Sequence, residues 1–235
     1  MSDVTFLPDG VILVVRFSKL RTLDSDGHYI HHPIIDLHKG YASRVAVDHK
    51  TSSIAVISYK KPNYDGYLDL YENNGVEWLH SCNEICQHPT SVSFTNEADI
   101  IVGDESGYLY MYDTDGDQQW KRKLSSEATC IAVNQQNEIL VGHDNKMVAY
   151  HIQGNKLFTI QSSDGRDVDV TGISLQSNDE IVLGNLETNT IYLYDSNGDY
   201  IREILTLQGN LDCIAMFEDK RLAVVVSRRL YLYDV

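Results

Sequence analysis

Clusters of carboxylates in short polar segments are the first feature of this sequence that could do chemistry. Residues 24–27 (DSDG), 113–117 (DTDGD) and 195–199 (DSNGD) carry Asp or Asn at alternate positions, as calcium loops do. A complete calcium loop also needs a glutamate at a fixed later position, and these segments lack one. Asp, Asn and Gly are also the residues that β-turns prefer. We therefore predict β-turns here and no bound metal.

Two cysteines and two histidines lie close together and could bind zinc. Three residues separate Cys82 from Cys86, and His80 and His88 flank the pair. Structural zinc sites usually draw their tetrahedral Cys and His ligands from two such pairs. The other two cysteines of the chain are distant in sequence and occupy matching strand positions, as small core residues do. We predict ordinary thiols and no zinc.

Motifs for nucleophilic or metal-assisted catalysis are absent from the sequence. There is no His-Glu-x-x-His motif and no Gly-x-Ser-x-Gly elbow. Polar residues on the strands predicted below to line the molecular axis are Asp48, Asn134 and Asp212, which are scattered along the chain. A catalytic site needs several convergent titratable groups. The sequence therefore predicts no catalytic residue, no cofactor and no enzymatic activity in this chain.

The elements that position these residues recur along the chain. Aromatic-rich segments that run into a polar turn begin at residues 20, 68, 109, 147, 191 and 230. A second series, rich in Val and Ile, begins at residues 4, 45, 92, 131, 173 and 214, and a more continuously apolar third series follows each of its members. Shorter strand-like segments follow most of the polar turns. Four strands in a period of about 42 residues are typical of β-propeller blades.

Each repeat thus has the pattern of four short β-strands, called strands a to d. Strand b is nearly all Val, Ile and Leu, as expected where both faces are covered, and strand c alternates with a period of two. No long segment has helical periodicity. We therefore predict an all-β fold, a six-bladed β-propeller of four-stranded antiparallel blades, in a single domain over residues 1–235. The predicted blades are approximately 1–40, 41–87, 88–127, 128–169, 170–210 and 211–235.

The last repeat stops before its strand d. We therefore expect a last blade that lacks its outer strand, and only three residues precede strand a of the first repeat. Natural proteins rarely leave an apolar edge strand exposed. We expect a segment upstream of Met1 to supply the missing strand.

Two segments carry a resemblance to a known family. Residues 88–116 (HPTSVSFTNEADIIVGDESGYLYMYDTDG) resemble an NHL repeat, with a proline, a small-residue strand, a turn, a second strand and a hydrophobic strand ending in Asp-x-x-Gly. Residues 1–30, from MSDVTFLPDG to LDSDGHYI, look like the opening blade of the NHL domains at the C-terminus of tripartite-motif (TRIM) proteins. The resemblance implies six blades and a last blade completed from upstream. It also implies recruitment of substrates or RNA for a RING-type ubiquitin ligase, whose RING would lie outside this chain because its paired zinc ligands are missing here.

Composition narrows the classes of partner. The net charge of −15 argues against nucleic acid as a bulk partner, and DNA is excluded on this ground. No apolar run reaches the roughly 18 residues of a spanning helix, and the first residues lack the layout of a secretion signal. Four cysteines are too few for a disulfide scaffold of this size. We expect a cytoplasmic protein with no membrane contact.

Long connections are expected on one face of the predicted propeller. The strand b–c and d–a connections share that face, and the longest of them are residues 34–42, 59–66, 81–89 and 162–170. Loops longer than a turn requires often carry binding residues. We therefore predict that this face binds the partner.

Charge on that face is predicted to be bipolar. A basic arc with aromatic neighbours should span the sixth, first and second blades; it comprises Arg16, Lys19, Lys39, Arg44, Tyr59, Lys60, Lys61, Tyr64, Arg228 and Arg229, with Tyr41 beside it. Acidic residues should cover the third to fifth blades; these are Asp104, Glu105, Asp144, Asp164, Asp167, Asp169 and Glu187. A solvated mixture of charges that keeps the protein soluble would give the same pattern. We predict a docking surface for a protein or peptide partner, with RNA binding and a metal-dependent hydrolase or lyase as the alternatives.

Overall fold

The computed structural model describes residues 3–16, 19–30, 35–36, 41–72, 77–160, 168–217 and 221–235, with the backbone alone for residues 35–36 and 77–84. These residues form β-strands and turns. Among them there is no helix that could cross a membrane. The all-β prediction is therefore confirmed.

In the described part of the chain, twenty-three strands form six small antiparallel sheets. The first sheet contains β1 (Asp3–Phe6), β2 (Ile12–Arg16), β3 (Lys19–Leu23) and β4 (Ile35–Asp36). The second contains β5 (Tyr41–Asp48), β6 (Ser53–Lys60), β7 (Asp65–Glu72) and β8 (Glu77–Gln87). The third contains β9 (Pro89–Phe94), β10 (Ile100–Asp104), β11 (Tyr108–Tyr112) and β12 (Gln118–Lys123).

The remaining three sheets repeat the same order of strands. The fourth contains β13 (Cys130–Val133), β14 (Glu138–His143), β15 (Lys146–His151) and β16 (Lys156–Ile160). The fifth contains β17 (Val170–Leu175), β18 (Ile181–Asn185), β19 (Thr190–Tyr194) and β20 (Tyr200–Thr206). The sixth contains β21 (Leu211–Met216), β22 (Arg221–Val226) and β23 (Arg229–Asp234).

The sheets form a closed ring around an axis. Their first strands pack side by side in the order β1, β5, β9, β13, β17 and β21, and β21 packs against β1. The sixth sheet has three strands, as predicted, and no described residue pairs with the outer edge of β23. The six-bladed propeller is therefore confirmed. We call the side with the strand b–c and d–a connections the first face, and the side with the a–b and c–d turns the second face.

The hydrophobic core lies between the sheets. Strand b is buried along almost its whole length in every sheet, as its continuous apolar sequence predicted. The described apolar residues form six clusters, and each cluster fills the space between two neighbouring sheets. Burial of apolar surface therefore stabilises the contacts between sheets as well as each sheet.

Several connections predicted to be long loops are shorter in the structure. Residues 81–89 belong mostly to β8, which pairs with β7 as far as the Asp65–Gln87 pair, because both strands extend to the first face. Residues 34–42 include β4 and the start of β5, and residues 59–66 reduce to a turn at residues 61–64. Residues 162–167 lie outside the described part of the chain.

Side chains near the first face connect the third, fourth and fifth sheets each to the following sheet. Three threonines at matching positions each donate a hydrogen bond to a backbone carbonyl of the following repeat. The pairs are Thr90 to Ala128 (2.7 Å), Thr129 to Val170 (2.8 Å) and Thr171 to Asp212 (2.9 Å). These bonds hold the inner ends of the sheets in a fixed spacing around the axis.

Asp3 connects the first sheet to both of its neighbours. Its Oδ2 accepts a hydrogen bond from the Val45 N–H at 2.9 Å, and its carboxyl accepts another from the thiol of Cys213. Burial raises the pKa of Asp3, and the nearby charge of Arg44 acts in the opposite direction. One side chain thus joins the sixth, first and second sheets.

Candidate interaction surface and axial pocket

Four aromatic side chains meet on the first face where the second sheet joins the third. Tyr41 begins β5 and is the cross-strand partner of Tyr59 on β6. Tyr64 lies in the turn that follows β6, in the left-handed region with a φ of 60°. His88 lies between β8 and β9, and its backbone N–H donates a hydrogen bond to the Tyr64 carbonyl at 2.8 Å. This bond fixes the turn against the next sheet.

The four rings, which we call the aromatic cluster, form a connected group in which Tyr59 contacts the other three. The Tyr59 and His88 ring centroids are 4.8 Å apart, and those of Tyr64 and His88 are 5.1 Å apart. Tyr59 is also 5.6 Å from Tyr64 and 6.1 Å from Tyr41. Tyr41 is 52% exposed and Tyr64 is 40% exposed. Exposed and mutually supported aromatic rings are typical of binding surfaces, where they offer contact area at a small entropic cost.

Charges of both signs border the aromatic cluster. Lys60 and Lys61 follow Tyr59 and are exposed, and the Lys61 ammonium lies 5.8 Å from the Tyr41 ring centroid. On the other side, the His88 Nδ1 is 3.1 Å from a Glu105 carboxylate oxygen. The cluster therefore lies at the border between a basic and an acidic part of the first face.

A pocket opens at the axis on the same face. Its volume is about 230 Å³, and Arg44, Glu127, Asp169 and Leu186 line it; we call it the axial pocket. A second cavity of about 250 Å³, lined by the inner strands, continues along the axis and shares Arg44. Arg44 was predicted to belong to the basic arc, and the structure places it at the axis instead. A guanidinium and two carboxylates can bind a ligand that carries both charges.

Electrostatic interactions connect the axial pocket to the aromatic cluster. Partial burial raises the pKa of Glu127, and the carboxylate of Glu105 adds to this effect. The charges of His88 and Arg44 lower the pKa of Glu127. Glu105, His88 and Arg44 are thus close enough to Glu127 to influence its pKa.

The other cations of the predicted arc stand on separate turns. Arg16 and Lys19 face each other across the β2–β3 hairpin. In the neighbouring sixth sheet, Arg228 lies in the turn between β22 and β23, Arg229 begins β23, and both are exposed. Lys39 lies outside the described residues. The structure therefore brings the three tyrosines and Lys61 into contact, and it leaves these other cations on two adjacent sheets.

The predicted acidic part of the face needs one correction. Asp104 is 2% exposed and accepts hydrogen bonds from the Tyr108 N–H at 2.7 Å and the Tyr110 hydroxyl at 2.9 Å. It is therefore a structural residue rather than part of a surface. Asp164 and Asp167 lie outside the described residues.

The three polar residues considered for catalysis shape turns. Asp48 accepts hydrogen bonds from the backbone N–H and side-chain hydroxyl groups of its own turn. Asn134 does the same for two N–H groups. The Asp212 carboxylate accepts a hydrogen bond from the Arg228 N–H at 2.7 Å. All three residues are engaged in local structure.

The carboxylate-rich turns share one hydrogen-bond pattern. In each turn, Oδ1 of the first Asp accepts the N–H groups two and four residues later at 2.8–3.1 Å; these residues are Asp24, Asp113 and Asp195. Among the described residues, the group that could hold a metal is Asp24, Asp26 and His28 on the first of these turns. Turn formation accounts for the composition of all three segments.

The two cysteines considered as zinc ligands, Cys82 and Cys86, lie on β8 rather than in a loop. Cys86 is a free thiol, and its burial raises its pKa, which disfavours the thiolate that zinc requires. His88 belongs to the aromatic cluster. The side chains of His80 and Cys82 lie outside the described residues.

A polar network that the sequence did not reveal lies on the first face of the fourth sheet. The His143 ring is buried, with Nε2 2.9 Å from the Tyr150 hydroxyl and Nδ1 3.3 Å from the Ser125 hydroxyl. Ser125 donates its hydroxyl hydrogen to the Asp144 carboxylate. Burial lowers the pKa of His143. These hydrogen bonds fasten the strand connection at Ser125 to the turn at Asp144.

Sequence reasoning missed His88, Glu127 and Leu186 as surface residues of this site. They lie in connections between strands, where no periodic pattern gives the direction of a side chain. In the sequence, Pro89 indicates the start of a strand, and this was the available signal that His88 lies in a connection.

The fold is similar to several solved structures. No model of a protein family matches the sequence, and neither does any curated protein sequence. A chain in a crystal structure of the mitotic checkpoint complex is 13% identical with a TM-score of 0.71, and the match covers 100% of this chain and 87% of that one. The β-propeller domain of Cps50 (Swd1) from Myceliophteria thermophila is 12% identical with a TM-score of 0.72, covering 100% of this chain and 82% of that one.

Streptogramin B lyase is similar to the same extent. It is 12% identical with a TM-score of 0.71, and the match covers 100% of this chain and 82% of the lyase. Identities this low show the fold alone, since unrelated functions share one fold. The fold and the comparisons together define a six-bladed β-propeller.

Proposed function

We propose that this propeller is a protein-interaction module that recruits a protein or peptide partner through its first face. The observation that carries the proposal is the aromatic cluster, which is exposed and lies beside Lys60 and Lys61. Aromatic anchors flanked by charge dominate the binding energy of many protein interfaces. The lysines favour an acidic segment of the partner.

The similar structures support a scaffold role. One belongs to a mitotic checkpoint complex, which is an assembly of proteins. The NHL resemblance supports a finer proposal, in which the module recruits substrates for a TRIM-type ubiquitin ligase. The ligase activity would then reside in a RING region outside these residues. A cytoplasmic location belongs to the same proposal, and the free thiols of Cys86, Cys130 and Cys213 support it.

The proposal is tested by comparing partner capture by three forms of the protein. The first form is the wild type, and the second is the first-face variant, with Tyr64→Asn, Lys60→Glu and Lys61→Glu. Asparagine is chosen because it tolerates the positive φ of Tyr64. The third form is a matched control on the outer strands of the fourth and fifth sheets, with Tyr200→Asn, Lys156→Glu and Arg202→Glu.

We expect the first-face variant to lose at least about tenfold in partner affinity, because aromatic and charged anchors are removed together. The control variant should bind like the wild type, and all three proteins should melt at similar temperatures. Equal capture by all three forms would refute a first-face site.

RNA binding is the alternative that the aromatic cluster also favours, since bases stack on tyrosine rings beside lysines. A fluorescent single-stranded RNA distinguishes the two functions. Micromolar binding that weakens steeply with salt and is lost in the first-face variant would favour RNA. Absence of RNA binding with retained protein capture would favour the proposal.

A metal-dependent lyase or hydrolase is favoured by the axial pocket and the likeness to streptogramin B lyase. A catalytic ion needs several oxygen ligands that converge. Magnesium, calcium and manganese are added separately, and the melting temperature is measured. A rise that Glu127→Gln abolishes would favour the enzyme.

A further inference from the structure

A groove on the second face, between the second and third sheets, has an apolar lining. Its volume is about 420 Å³. The buried side chains of Leu70 and Ile100 and the partly buried side chains of Phe94 and Ala98 provide its apolar lining. Such a volume accommodates one or two apolar side chains.

The described rim of the groove is acidic. Glu72 and Asp115 line it and are exposed. Burial raises the pKa of the adjacent Asp99, and the carboxylates of Glu97 and Asp113 raise it further. The rim thus concentrates carboxylates around an apolar lining.

One nearby cation is already engaged with a neighbouring turn. The Lys50 ammonium donates a hydrogen bond to the Asn96 carbonyl at 3.1 Å, beside the turn that contains Glu97. The Thr51 hydroxyl, at the edge of the groove, donates to Asp48 at 2.6 Å. In this contact the Lys50 ammonium is directed at Asn96 rather than at Glu72 or Asp115.

We propose that this groove binds a basic segment of a partner protein, in which one apolar side chain is flanked by lysine or arginine. The apolar side chain lies against Leu70, Phe94 and Ile100, and the flanking cations face Glu72 and Asp115. Charge complementarity selects this occupant, because an acidic or uncharged segment would leave the carboxylates unpaired. The site is separate from the first face and does not depend on the function proposed for it.

The test uses two fluorescein-labelled synthetic peptides. One is Lys-Lys-Leu-Lys-Lys, and the other has serine in place of the leucine. Their affinities for the wild type are measured by fluorescence anisotropy at physiological salt. We expect the leucine peptide to bind at least about tenfold more tightly, since burial of one leucine is worth that factor.

Variants distinguish binding in the groove from a general electrostatic attraction of the basic peptides to an acidic protein. Thr114→Trp fills the groove and should abolish the difference between the peptides, whereas Ser196→Trp, at the corresponding turn of the fifth sheet, should preserve it. Glu72→Lys with Asp115→Lys should weaken both peptides at least about tenfold. Glu187→Lys with Asp199→Lys makes the same change in net charge elsewhere and should have a much smaller effect.

Two results would overturn the proposal. Equal binding of the two peptides to the wild type would show that the apolar lining is not used. Equal weakening by the two pairs of lysine substitutions would show that only the net charge matters. Melting temperatures identify any variant that fails to fold, and the two kinds of groove variant are independent of each other.

Discussion

The two faces of the ring use polar residues in different ways. On the second face, Asp, Asn and Thr side chains accept backbone N–H groups of their own turns, as Thr95 and Asn134 do. On the first face, side chains reach across to other connections, as in the contact of His88 with Glu105. The turns of the second face therefore repeat one local pattern and add bonds between neighbouring turns, such as the Asn96 N–H to Asn137 Oδ1 at 2.8 Å. The first face adds contacts such as the aromatic cluster to its repeated threonine bonds.

This difference separates residues that fold the chain from residues available for binding. The polar composition of the regular turns needs no functional explanation, because hydrogen bonds within each turn use it. Hydrogen bonds within a turn do not explain the aromatic cluster, in which Tyr41 and Tyr64 are exposed. Four substitutions test this division, beginning with the one of largest expected effect.

Gly103→Val should disrupt the joint between the third and fourth sheets. A Cβ at this position would lie 2.5 Å from both the Ala128 Cβ and the Ser91 hydroxyl. Overpacking of this kind costs about 1–3 kcal/mol of unfolding free energy. Urea denaturation measures the loss, and Ser106→Val on the exposed neighbouring turn is the control. A stability equal to that of the wild type would show that the joint is looser than described.

Asn134→Ala should break one second-face turn. Its Oδ1 accepts the Gln136 N–H at 3.1 Å and the Glu138 N–H at 2.8 Å, and the side chain is buried. The loss of two hydrogen bonds should cost about 1–2 kcal/mol of unfolding free energy. Gln136→Ala in the same turn removes an exposed side chain and should be nearly neutral. A neutral Asn134→Ala would argue against the local explanation of the turns.

His143 should give the first face a dependence on pH. Because burial lowers its pKa in the folded state, protonation favours the unfolded state. Its contribution to stability is complete above about pH 6.5, the pKa of an unperturbed histidine, and declines as the pH falls below that value. His143→Gln should therefore lose less stability than the wild type between neutral and mildly acidic pH. Parallel pH profiles from chemical denaturation would contradict this prediction.

Tyr64→Asn should have the smallest effect on stability. Its side chain is 40% exposed, and asparagine accepts its backbone conformation. We expect the unfolding free energy to change by less than about 0.5 kcal/mol. A larger loss of unfolding free energy, measured by thermal denaturation, would show that the aromatic cluster stabilises the fold. It would weaken the assignment of the cluster to binding.

The sequence predicted the fold well because the strands and turns are local features. The alternation in β11 and the continuous apolar sequence of β10 are readable within a few residues. The site was less predictable, since its contacts join residues from different sheets. Arg44 appeared to be a surface cation, yet its strand places it at the axis. Asp104 appeared to be a surface acid, yet it is buried and accepts a hydrogen bond from the Tyr110 hydroxyl on the next strand.

The bonds of Asp3 have a consequence for how the chain folds. Its partner Val45 belongs to the second sheet, but its partner Cys213 belongs to the sixth, so the Cys213 bond can form only after nearly the whole polypeptide has been assembled. Contacts so distant in sequence require closure of a very long loop, which slows folding. We therefore expect the ring to close late in folding, and until then the terminal strands should remain open to proteolysis.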